Sequence, residues 1–133
     1  MAITKKAGRQ ELIVAYVDIN LADLTTDVAA NAIELPGNAV VVKGALVTTE
    51  AWDSTSTDVM DVGDASSATR YKSNGNIRAL AALVDLVPTG FLTTASERYI
   101  TVTWTSGGGT PTTGKVRLQV EYYVKERSEF TQG

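Results

Sequence analysis

Period-two alternation is the clearest pattern along the chain. In residues 98–105, Ile100, Val102 and Trp104 alternate against Tyr99, Thr101 and Thr103, and in residues 115–125 Val116, Leu118, Val120, Tyr122 and Val124 share one face. Two half-buried strands are expected there, with Trp104 and Tyr122 in the core and Tyr99 and Tyr123 facing outward. Residues 106–114, rich in glycine and threonine, read as a long flexible tip joining the two as antiparallel neighbours. Residues 11–20 form a mostly apolar, β-branched run, the signature of a strand covered on both faces for part of its length.

The middle of the chain has the same character. Residues 32–35 form a short strand before Pro36-Gly37, where proline presets the bend and glycine relieves its sterics. Residues 40–52 are too β-branched for a comfortable helix, and Gly44 within them marks a bulge or bend. The polar turn 53–57 and the short strand 58–62 then read as the second half of a hairpin. Asp64 is placed to cap one helical turn over 65–70, and Asn74-Gly75-Asn76 has the residues of a tight turn. Residues 21–32 read as loop with one turn. Residues 77–87 fit either a helical stripe through Leu80, Leu83, Val84 and Val87 or an irregular edge strand before Pro88.

The sum is an all-β chain: one jelly-roll-like antiparallel β-sandwich of about seven to eight strands with minimal helix. The sandwich spans 11–125, between a polar, basic N-terminal arm (1–10) and a polar C-terminal tail (126–133). With 133 residues, 44% of them hydrophobic, such a domain needs no metal or disulfide to hold its core.

Composition then removes most chemistry. There is no cysteine and no histidine, which excludes thiol nucleophiles, Cys/His zinc sites, Ser-His-Asp triads and imidazole bases. A net charge of -3 argues against wrapping duplex nucleic acid. The apolar run 12–17, bracketed by Glu11 and Asp18, is too short for a secretory signal core or a membrane span. No nucleic acid and no membrane is therefore expected among its partners, and no cofactor or metal.

Three constellations remain. Gly109 to Lys115 satisfies most of a phosphate-cradling G-x-x-x-x-G-K, but Val116 stands where a magnesium-holding hydroxyl belongs, and a strand follows where a helix is needed. Asp53, Asp58, Asp61 and Asp64 lack calcium-loop spacing and read as a solvated acidic rim. The same carboxylates would serve a hydrolase only around a concave site that raises the pKa of one of them. The outward tyrosines Tyr99 and Tyr123 suggest a protein interface or a sugar-stacking surface, and Lys5, Lys6 and Arg9 give the arm a basic contact set.

The runs 34–53, Val62-Gly63-Asp64 with Arg70-Tyr71, and 114–124 resemble small structural proteins of tailed bacteriophages, in particular head decoration (cement) proteins. Their turns and strand ends carry the likeness, over roughly two-thirds of the chain. The resemblance implies a jelly-roll-like domain that acts without catalysis, binds as a dimer or trimer on the outer capsid surface, and bridges major capsid protein subunits. It carries over no site residues. A neck, tail or baseplate component and a carbohydrate-binding β-sandwich module are the alternatives.

Overall fold

The computed structural model describes residues 11–125. Eight strands run in the order β1 (Ile13–Asn20), β2 (Ala30–Glu34), β3 (Ala39–Glu50), β4 (Asp58–Gly63), β5 (Lys72–Asn76), β6 (Leu83–Asp85), β7 (Tyr99–Ser106) and β8 (Lys115–Val124). One 3-10 turn, Leu21–Asp23, separates β1 from β2. The strands form two four-stranded antiparallel sheets, β1-β8-β3-β6 and β2-β7-β4-β5.

The pairs β1/β8, β2/β7, β3/β6 and β4/β5 are nested, which is the topology of one long hairpin rolled into a double sheet, a jelly roll. Nesting corrects two expectations. β3 and β4 do not form a hairpin, and β7 and β8 are not neighbours, because in each case the chain crosses from one sheet to the other. Of all consecutive strands only β4 and β5 are paired. A polar turn between two apolar runs looks the same in sequence whether the chain folds back beside itself or across the sandwich.

The tip between β7 and β8 is tied down along its length. The amide of Thr55 donates to Gly108 O (2.9 Å), and the carboxylate of Asp53 accepts from the Thr112 amide and hydroxyl (both 2.6 Å) and the Thr113 amide (3.0 Å). Gly114 lies against the face of Trp52, where a side chain would collide with the indole ring.

Two further corrections concern local elements. Asn74-Gly75-Asn76 is not a turn but the end of β5. Asn74 does take a positive φ of 51°, opposite a register shift in β4, and its amide is held by Asp61 Oδ1 at 2.7 Å. Residues 65–70 turn without forming a helix; Asp64 nonetheless accepts from the amides of Ser66 (3.0 Å) and Ser67 (2.9 Å) as a cap would. The bulge expected at Gly44 falls beside it, between Val41 and Lys43. Residues 77–87 resolve into an irregular segment carrying the short edge strand β6.

Between the sheets, Leu35, Leu46, Met60, Val62, Ile77, Ile100, Val102, Val116, Leu118 and Val120 are all but completely buried. Trp52 and Trp104 meet at 5.3 Å between ring centroids at the loop end of this core. Thr93 closes the Pro36 turn, its hydroxyl donating to Pro36 O (2.7 Å) and accepting from the Ala39 amide (2.8 Å).

Candidate interaction surface

The two sheets have unlike outer faces. On the second, β7 points Tyr99, Thr101, Thr103 and Thr105 away from the core, with Asp61 of β4 opposite Thr103 and Glu34 of β2 opposite Tyr99. It is a polar face, closed at one end by the Arg98–Glu34 ion pair (3.1 Å).

The first sheet carries apolar side chains outward. The registers place its outward residues in cross-strand rows: Val14, Glu121 and Lys43; then Tyr16, Gln119, Ala45 and Asp85; then Asp18, Arg117, Val47 and Leu83. Val14, Tyr16 and Leu83 are 64%, 66% and 65% exposed, high values for apolar residues in strands. Between them Gly44 and Ala45 are too small to fill the surface, leaving a trough of about 430 Å³ with Val14 and Leu83 on its sides and Lys43, Asp85 and Glu121 at its rim. Arg117 binds Asp18 at 2.9 Å and lies 5.7 Å from the Tyr16 ring centroid, which orders the β1 side of this face. A shallow, partly apolar surface with a charged rim is suited to protein contact.

The residues expected to form an interface divide. Tyr123 lies on the outer face of the first sheet and Tyr99 on that of the second, both half-buried, so the two do not build one platform for a sugar or a partner. Lys5, Lys6 and Arg9 lie outside the described residues. Val14, Ala45 and Leu83 are not marked as interface residues by the sequence; the unbroken apolar run 12–17 is the signal for Val14.

Of the acidic cluster only Asp53 and Asp61 keep contact with solvent. Asp58 is wholly buried: Oδ1 accepts from Trp104 Nε1 (3.0 Å), and Oδ2 accepts from the Ser54 hydroxyl (2.5 Å) and Arg78 Nη1 (3.3 Å). Asp64 is buried too and binds Arg70, whose guanidinium stacks 3.7 Å above the Phe91 ring. Asp53 holds the 106–114 loop, and those hydrogen bonds, the Thr112 hydroxyl foremost, lower its pKa below 3.8. Each carboxylate is engaged in holding the fold. Among the described residues no group of three acidic side chains converges on a metal position. Lys115 is the exposed first residue of β8, and the glycine-rich stretch before it leads into that strand rather than a helix.

No protein-family model matches the chain, and no curated protein does. Solved structures do. The fold is similar to a chain of the cyanophage Pam1 capsid asymmetric unit, with a TM-score of 0.72 and 27% identity over 93% of this chain and 91% of that one. It is similar to a chain of the capsid of Ralstonia phage GP4, with a TM-score of 0.67 and 18% identity over 96% and 92%. A third likeness is to the acidic stable capsid structure of Helicobacter pylori bacteriophage KHP30, with a TM-score of 0.60 and 17% identity over 86% and 93%. The latter two speak for the fold alone. The 27% identity to the cyanophage chain over nearly its whole length supports a phage virion structural protein.

Proposed function

We propose that the chain decorates the phage capsid, as a non-enzymatic component that sits on the outer surface as a homo-oligomer and stabilises the shell by bridging neighbouring major capsid protein subunits. The observation that carries this is the likeness, over 93% of the chain, to a chain of a capsid asymmetric unit. The outer face of β1-β8-β3-β6, with Val14, Tyr16 and Leu83 exposed around a trough, supplies apolar contact area. Tyr123 lies on the same face, and Lys5, Lys6 and Arg9 precede β1 in the chain and add basic contacts. Stabilisation needs no chemistry. A protein that binds only the assembled shell lowers the free energy of that state by an amount set by its concentration over its dissociation constant.

Cosedimentation tests it, using shells of the phage that encodes the chain, assembled without it, beside unexpanded procapsids. Saturable binding to expanded shells alone is expected, and the copies bound per shell report the oligomer. Absence of binding to either particle rejects decoration in favour of a neck, tail or baseplate location.

A further inference from the structure

We propose that β1 is an open sheet edge on which a second copy of this chain lays its own β1, antiparallel about a twofold axis, so that two four-stranded sheets become one. From the proposed function this takes only the homo-oligomer, and it names the surface that makes it.

The direction of the main-chain groups comes first. The Leu21 amide donates to Gly114 O (3.0 Å), whereas the Asn20 amide turns to its own loop, to Asp23 Oδ2 (3.0 Å). Alternation along an antiparallel ladder then aims residues 13, 15, 17 and 19 at β8, and the N–H and C=O groups of Val14, Tyr16 and Asp18 away from the sheet. Among the described residues no strand pairs with that side of β1.

Of the four sheet edges this one is suited to a partner. β6 has three residues, and β2 and β5 have five each with a register shift in their pairing. β1 pairs with β8 over eight consecutive residues without interruption. Edges are ordinarily blunted by charge, proline or a bulge, and residues 12–17 have no charge, proline or glycine. Outward, Val14 and Tyr16 are exposed; inward, Ile13, Ala15 and Val17 are only half-buried, while Ile19 is buried. The apolar run that promised cover on both faces lacks it within the described chain, and a second sheet continued across this edge supplies it.

The strand is complementary to itself. With the twofold axis at Ala15, Val14 faces Tyr16 of the second copy, Ile13 faces Val17, and the two Ala15 residues face each other. The pairs 14/16 then exchange main-chain hydrogen bonds, since both point outward from their own sheets. Charge meets apolar side chains only at the ends of this ladder, Asp18 opposite Leu12 and Glu11 opposite Ile19, and Asp18 arrives already paired with Arg117. A register centred on Val14 sets Glu11 against Val17, and cross-linking separates the two. Pairing about a twofold axis closes at two copies, because it uses the β1 edge of both.

Sedimentation velocity of the full chain, from about 1 to 100 μM, is expected to give twice the monomer mass. Val14→Lys with Tyr16→Lys, both outside the core, is expected to weaken association at least about tenfold with unchanged circular dichroism. Leu83→Lys, on the far edge of the same sheet, is expected to leave the dimer intact. Register is read by cross-linking, because the natural chain has no cysteine. Ala15→Cys sits at a non-hydrogen-bonded pair with Cα atoms about 4.5 Å apart, within disulfide reach, and is expected to oxidise to a dimer. A monomer at every concentration, a trimer, or dissociation by Leu83→Lys alone overturns the proposal. Cross-linking through Val14→Cys in place of Ala15→Cys supports the edge and overturns the Ala15 register. A dimer that fails to bind shells leaves this inference standing and removes decoration, so the two fail separately.

Discussion

The indole Nε1 of Trp104 donates to the buried Oδ1 of Asp58 at 3.0 Å, joining β7 to the first residue of β4 through a carboxylate that solvent does not reach. The other oxygen takes Ser54 and Arg78, and Arg78 Nη2 donates on to Ser54 O at 2.7 Å. One carboxylate thereby fixes the loop 51–57, the segment after β5 and the Trp52–Trp104 stack.

Removing it leaves an indole N–H, a hydroxyl and a guanidinium without their acceptor. Asp58→Ala is expected to cost about 3 kcal/mol or more in a urea titration. Asp58→Asn keeps one acceptor and loses the ion pair, so it falls between the wild type and the alanine variant. Near-ultraviolet circular dichroism of the tryptophan pair should follow the same order. An Asp58→Ala chain as stable as the wild type would show that the network contributes no net stability.

Gly44 is the second point of low tolerance. A Cβ there would stand 2.6 Å from Leu86 Cδ1 and 2.8 Å from Gln119 O, and the carbonyl belongs to the β8 ladder and cannot retreat far. Gly44→Ala is expected to destabilise by about 1–3 kcal/mol, read as a lower denaturation midpoint at unchanged m-value. Gly37, with open space around its Cα, should accept alanine at far lower cost.

These two sites also mark how far the sequence could be read. β7 and β8 were legible because alternation is a local signal, and Trp104 and Tyr122 fall in the core where it put them. Which strand lies beside which was not, since a jelly roll pairs residues a hundred positions apart, as with Asp18 and Arg117. Asn74 shows the same division: its readiness for positive φ was visible, but whether that serves a turn or a bulged strand depends on β4. Asp58 looked like one of four surface carboxylates until the fold brought Trp104 and Arg78 to it. The apolar run 12–17 was plain as well, and only the sheet order reveals that it lies at an edge.

Acid should loosen the loop between β7 and β8. Hydrogen bonds from Thr112 and Thr113 hold the Asp53 pKa below its ordinary 3.8 in the folded chain. The folded state therefore gains from this group above pH 3.8, and the gain is lost as pH falls through the lower folded value. Hydrogen exchange at the Thr112 and Thr113 amides should accelerate in that window, and Asp53→Asn should remove the acid dependence at these two amides. Exchange that is insensitive to pH after correction for its intrinsic rate would count against the anchoring role.

Alkali should act through Tyr71. Burial, and secondarily the nearby Asp64 carboxylate, raise its pKa above the ordinary 10.0, with Arg70 opposing them in part. A phenol whose folded pKa is raised contributes stability that is complete below pH 10 and is lost as pH climbs through the folded value, because the unfolded chain ionises first. In a spectrophotometric titration near 295 nm, the five tyrosines should separate, with Tyr71 ionising last or only on unfolding. Tyr71→Phe should delete that late step and flatten the alkaline limb of the stability curve. If Tyr71→Phe leaves both unchanged, the phenol is reached by solvent in the folded protein and the β4–β5 connection opens more readily than its packing implies.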